Sequence, residues 1–443
     1  MLGEIVLHKC TSAHKLVSSL KESIASSKAN NSYPKWSDEF LAFCEHIADA
    51  TLDFIDEKLL TLEEDQQELR ILSLIQGWEV LHTFIKPVLD ADTLKVPYPL
   101  VHFLSEYIGG LEVVKETKIV IELIPELNYL QHRHTSVRNA MRLLKIITSA
   151  TYEVPRLGFL GLPYSQSKSL FMNCLLYHEA GHFIAEEINL FPEEDLPELT
   201  EELKSDFKRY ANWAGMTIQI WMEELFADIV AVKLIGPAYT YASMELLRLV
   251  YNLSKRDLRT FSIDHPADAL RFREQLKILK VDHWKSYTEP EQWQELEKIA
   301  DIKQNTYLPP DDEDPAMRKK WLKLIRFLCR SKIIQKVHDL ADLHLADRAN
   351  PCDCFMQSAA IIRECLQHGI VPSWSGMQRQ IPHPTAIING AVFFLLSDMD
   401  DLYKIVPSIN KNKVGERASL EKRLEMWCIK GIEDWLLRKN KNQ

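Results

Sequence analysis

Tyr177-His178-Glu179-Ala180-Gly181-His182 lies inside the proline-free apolar run 169–188 and spells His-Glu-x-x-His. Apolar residues cover nearly the whole circumference of this run, which predicts a largely buried helix, with Ser165 or Ser167 as its N-cap. On a helix, residues four apart share a face one turn above the other, so the two imidazoles can reach one metal ion. The glutamate between them is then placed to take a proton from a water held at that ion. The plainer reading is a pair of hydrogen-bonded core histidines with Glu179 at the surface. Burying His178, Glu179 and His182 without partners would cost several kcal/mol, so either reading requires partners for them.

A hydrolytic zinc site uses three protein ligands and keeps one position open. The run 217–232 is a second apolar helix that stops at Gly236-Pro237. On it Glu224 and Asp228 stand four apart on one face, and Trp221, Leu225, Val232 and Ile235 crowd the stripe they form. Acids in such a setting are paired or metal-bound more often than solvated. Glu224 is the candidate third ligand. Asp228, one turn on, is the candidate partner that orients a ligating histidine.

His178-Glu179-x-x-His182 followed by Glu224-x-x-x-Asp228 resembles the gluzincin clan of zinc metallopeptidases. The stretch Asp264-His265-Pro266-Ala267-Asp268-Ala269-Leu270-Arg271 is similar to the His-Pro motif with a following arginine in prenyl-protein endopeptidases and their soluble minimal relatives. The likeness covers roughly 158–275, less than a third of the chain. It implies one Zn²⁺ held by His178, His182 and Glu224, with Asp228 behind a histidine and His265 approaching the reacting carbonyl. Glu179 would serve as general base, and His265 would donate to the developing oxyanion. Arg271 is expected to pair with an acid near the site. The alternatives are a helix-start role for His265, before a proline favoured at a first helical position, and a surface role for Arg271.

The departures are equally plain. Prenyl-protein endopeptidases are membrane-embedded, whereas this chain has no run of about 20 apolar residues; its longest is Ala391-Val392-Phe393-Phe394-Leu395-Leu396. The Gly-x-Met-Glu-Asn motif of aminopeptidase gluzincins is absent. The same His-Glu-Ala-Gly-His wording occurs in ATP-driven membrane proteases, but no G-x-x-x-x-G-K-[ST] phosphate loop occurs here.

Upstream, Tyr152 to Pro163 reads as an extended segment whose prolines suit a sheet edge, with 118–125 as its neighbour. An edge beside the metal would bind a substrate backbone by strand addition. Elsewhere the patterning is helical. Leu69, Leu72, Leu74, Ile75, Trp78, Leu81 and Phe84 recur at helical spacing within 63–89, and only 14 glycines occur in 443 residues. The acidic, proline-bounded stretch 309–315 reads as a linker. Helices are predicted again over 316–346, after His383-Pro384, and over 419–438.

The expected architecture is therefore mainly α, a helical metalloprotease core with a small β-sheet, in three regions: 1–112, 113–306 and 316–443. A formal net charge of −10 and the lack of a basic cluster argue against a nucleic-acid partner. The N-terminal residues do not form a secretory leader, and eight irregularly spaced cysteines suit a reducing compartment, so a cytoplasmic location is expected. Cys352-Asp353-Cys354, the closest cysteine pair, reads as two ordinary thiols. The function expected is a zinc endopeptidase acting on protein or peptide substrates. The rivals are a zinc-stabilised regulatory protein with little activity and a metal-dependent hydrolase of a non-peptide amide.

Overall fold

The computed structural model describes residues 2–29, 37–91, 96, 98–114, 117–124, 130–132, 134–163, 169–192, 195–254, 257–288, 290–309, 315–330, 332–345, 353–369, 371–372, 382–397 and 414–441. The chain is mainly helical with one small sheet. Its contacts gather into two compact units, Met1–Gly110 with Val114–Lys168, and Ser169–Gln443 with Leu111–Val113. This grouping is drawn differently from the three sequence regions. The strands belong with the N-terminal helices, and the helices after the acidic stretch belong with the motif helix.

The first unit contains α1 (Leu2–Ala29), α2 (Asp38–Asp53), α3 (Glu64–Asp90), α4 (Tyr98–Gly109), β1 (Lys118–Ile124), β2 (Leu130–His132), α5 (His134–Thr148) and β3 (Leu157–Pro163). On α3 the buried seam is Ile71, Leu74, Trp78, Leu81, Ile85 and Val88, alternating steps of three and four. Leu69 and Leu72, expected in that stripe, point outward and are 66% and 40% exposed. Strand β1 pairs with β3 in parallel, from Lys118 opposite Leu157 to Ile124 opposite Pro163, and α5 lies in the crossover that a parallel pair requires. Strand β2 pairs antiparallel on the other side of β3.

The edge position expected for 152–163 is therefore corrected: β3 is the central strand, with neighbours on both sides. Pro155 precedes the strand and Pro163 ends it, so neither removes an interior hydrogen bond. All seven residues of β3 are buried, the pattern of a strand covered on both faces. Phe40 and Phe84 each pack on Phe159 with ring centroids 5.1 Å apart. Strand addition at β3 is not a route to substrate binding.

The second unit holds α6 (Leu176–Glu187), α7 (Asp195–Phe207), α8 (Ala211–Ile235), α9 (Pro237–Ser254), α10 (Asp268–Val281), α11 (Pro290–Ala300), α12 (Pro315–Arg330), α13 (Ile333–Leu345), α14 (Asp353–Gln367), α15 (Pro384–Ser397) and α16 (Val414–Lys441). Most of α8 is buried, and α6, α7, α10 and α13 pack around it. Trp321 of α12 stacks on Trp221 of α8 with ring centroids 5.8 Å apart and meets Trp213 edge-on at 4.7 Å. The helical stretch expected over 316–346 holds two helices, α12 and α13. Pro384 opens α15 as expected, with Ala386 N–H donating to the His383 carbonyl.

The apolar run 391–396 falls inside α15, 14 residues long, and among the described residues no helix is long and apolar enough to cross a membrane. Ser165, Ser167, Cys352 and residues 310–314 of the acidic stretch lie outside the described residues, as does the side chain of Cys354.

Candidate metal centre

Two helices carry the site, and a glycine sets their separation. The motif run begins as a 3₁₀ turn, Met172–Leu175, and becomes α-helix at Leu176. Against it lies α8. A Cβ added at Gly181 would come within 2.5 Å of Ala227 Cα and 2.9 Å of the Ala227 carbonyl oxygen. Glycine costs a helix interior about 1 kcal/mol relative to alanine, so its use here answers to packing rather than propensity. The obstructing atoms are backbone and cannot rotate away. Gly181→Ala should destabilise the protein by about 1–3 kcal/mol in chemical denaturation despite the gain in helix propensity. By parting the two helices it should also weaken whatever metal binding the site has, and a more stable variant with undiminished metal binding would contradict the account.

At this close approach His178 and His182 of α6 face Glu224 and Asp228 of α8. The His178 and His182 Nε2 atoms are 3.0 Å apart. Glu224 Oε1 lies 3.3 Å from His182 Nε2, and Glu224 Oε2 lies 3.5 Å from His178 Nε2. A tetrahedral ion with bonds of about 2.0–2.1 Å sets its donor atoms about 3.3 Å apart, and the separations here are close to that, with one oxygen of Glu224 toward each imidazole. Glu224 Oε2 is buried and accepts no hydrogen bond. His178, His182 and Glu224 can therefore hold a metal ion. The donor chemistry, two imidazoles and a carboxylate, fits zinc.

The outer partners fix which nitrogens are free. Asp228 is fully buried, and its Oδ1 lies 3.0 Å from His178 Nδ1. Arg271 of α10 grips the same carboxylate with two hydrogen bonds, Nε to Oδ2 at 2.7 Å and Nη2 to Oδ1 at 2.8 Å. Burial pushes the Asp228 carboxyl up, but the charge and hydrogen bonds of Arg271 together with His178 outweigh it and hold the carboxyl far below the usual range. An ionised carboxylate only accepts, so His178 Nδ1 carries a proton, and in the neutral ring its Nε2 presents a lone pair to the cluster. His182 Nδ1 is 3.4 Å from Glu223 Oε1, which gives that ring the same orientation. Two lone pairs and a carboxylate converging at these distances repel unless a proton or a metal cation lies among them.

The titration directions follow from the same crowding. Burial presses the His178 and His182 imidazoles down. The carboxylates that accept from the rings outweigh it, Asp228 and Glu224 at His178 and Glu223 and Glu224 at His182, so both bind a proton more readily than free histidine. Burial pushes Glu224 up, and the two histidines outweigh it, holding the carboxyl well below its ordinary value. Asp268, 3.9 Å from Arg271, is pushed up to about 7 by burial against the pull of that guanidinium.

No family model, curated protein or solved structure matches this chain. The functional reading rests on the residues themselves. His178, His182, Glu224, Asp228 and Arg271 come together in one cluster, and Arg271 is largely enclosed rather than at the surface, its side chain 12% exposed. Glu179 is on the same helix and buried. It stands three residues before His182, on the same side of α6, and its charge helps raise the affinity of His182 for a proton.

His265 reaches the rim, with Nε2 3.7 Å from Glu224 Oε2 and a side chain 42% exposed. It is not a helix-start residue, because α10 begins at Asp268 with Ala267 as cap. It sits instead in a tight turn, where Ser262 Oγ accepts from His265 N–H and the His265 carbonyl accepts from Ser262 N–H. Trp221 Nε1 pins that turn by donating to the Ser262 carbonyl at 2.9 Å.

Sequence reasoning missed Tyr239 of α9. Its hydroxyl donates to Asp228 Oδ1 and lies 3.2 Å from His178 Nδ1. Tyr239 follows the Gly236-Pro237 break and shares no periodicity with the motif, so nothing in the local pattern marked it. Glu223, one residue before Glu224, is the neighbour of His182 Nδ1.

Proposed function

We propose that the chain is a zinc-dependent endopeptidase in which Glu179 is the general base. The observation that carries this reading is the convergence of the His178 and His182 Nε2 atoms and the Glu224 carboxylate, with both Nδ1 atoms engaged from behind. Zinc in such a donor set supplies Lewis acidity, polarising a carbonyl and making water nucleophilic near neutral pH. Glu179 takes the proton of the attacking water on a carboxylate oxygen and returns it to the leaving amine nitrogen. His265, at the exposed rim, donates its Nε2 proton to the oxygen of the carbonyl under attack. Asp228 keeps His178 in the Nδ1–H form, and Arg271 keeps Asp228 ionised. The resemblance to gluzincins assigns the same roles to His178, Glu179, His182, Glu224 and His265.

The test is cleavage of a peptide library by the purified protein. Product peptides are expected with zinc, none after chelation, and recovery on adding zinc back. A zinc-bound protein that releases no peptide would favour a zinc-stabilised regulatory protein. Release that survives chelation would contradict the role of the metal.

A further inference from the structure

Asp228 Oδ1 is approached by three donors: Arg271 Nη2, His178 Nδ1 and the Tyr239 hydroxyl. The tyrosine ring is buried and lies parallel to the His178 ring, with a 4° interplanar angle and centroids 6.1 Å apart. Its hydroxyl has one proton. The ionised carboxylate takes it, which leaves a phenol lone pair turned toward His178 Nδ1, 3.2 Å away. Both oxygens that face Nδ1 are therefore acceptors, and the imidazole can meet them only in its Nδ1–H form.

Tyr239 owes its aim to a distant helix. Gly236 ends α8 at φ +69° and ψ −151°, a conformation open to glycine, and Pro237 begins α9. Asn389, fully buried on α15, spans this joint: its Nδ2 donates to the Ile235 carbonyl at 2.8 Å, and its Oδ1 accepts from Ala238 N–H at 3.0 Å. One amide thus caps the last turn of α8 and the first of α9, next to Tyr239.

We propose that Tyr239 is a positioning residue of the metal centre, locking the tautomer and direction of His178, and that Asn389 sets the turn that aims it. The inference rests on the reading of His178 as a metal ligand. It gives the region after the acidic stretch a task, holding the ligand shell from behind.

The test uses Zn²⁺ alone, titrated into the full-length metal-free protein against a chromophoric chelator. Tyr239→Phe, which removes only the hydroxyl, should lower Zn²⁺ affinity by about 10- to 100-fold, the scale of a lost outer partner, with an unchanged far-ultraviolet spectrum. Asn389→Ala should lower affinity in the parent protein and add little in the Tyr239→Phe background, because both act through one hydroxyl. Unchanged affinity in Tyr239→Phe overturns the proposal. An Asn389→Ala loss of equal size in both backgrounds overturns the link to α15. Should the variants not fold, the parent protein loaded with Zn²⁺ decides by proton NMR. An exchange-protected Tyr239 hydroxyl with a cross-peak to the His178 Nδ1 proton is expected, and its absence overturns the assignment. A parent protein that binds no Zn²⁺ removes the metal-centre reading itself, and this one with it.

Discussion

Glu179→Gln should bind zinc as the parent does and lose at least about 10²-fold in peptide turnover, the contribution of a general base. The substitution preserves size and replaces a proton-accepting oxygen with an amide. Glu179 is not one of the three facing donors, which are His178, His182 and Glu224, so the metal affinity has no reason to change. The residue is 8% exposed, and an amide fits the same space, so the fold should be kept. Turnover measured with zinc content and melting temperature separates a chemical loss from a structural one. A variant that turns over as fast as the parent would remove Glu179 from the mechanism and leave a zinc-stabilised protein as the better reading.

Glu224→Ala should abolish stoichiometric zinc, a larger effect than the about 10- to 100-fold cost of losing an outer partner. Glu224 supplies the only carboxylate within the facing set, at 3.3 and 3.5 Å from the two Nε2 atoms. Its loss leaves two imidazoles, and it also removes the negative charge 3.5 Å from the Arg271 guanidinium. Metal analysis after gel filtration checks this. Full retention of zinc would move the third ligand elsewhere, and Glu223, already beside His182 Nδ1, would be the next residue to replace.

The parts of the site legible in the sequence are those fixed by helical spacing. His178 with His182 and Glu224 with Asp228 are each four apart, so each pair shares a face before any tertiary contact is known. The buried character of both helices was also readable from their apolar circumference, and α8 is buried over most of its length. Tyr239 and Asn389 were not legible, because a turn at Gly236-Pro237 and a helix some 150 residues later bring them in. The role of Gly181 was likewise silent, since a glycine in a helix announces a close approach only once the opposing backbone at Ala227 is known. The sheet was read correctly in its pairing of 118–124 with 157–163 and wrongly in its order. Two prolines suggested an edge, but they flank and end the strand, where their missing donors cost little.

The central claim is the identity of the donor atoms, and X-ray absorption on the zinc-loaded protein addresses it most directly. The account predicts a first shell of nitrogen and oxygen only, at about 2.0–2.2 Å, with the outer-shell scattering of two imidazoles. A sulfur distance of about 2.3 Å, or fewer than two imidazoles, would contradict it.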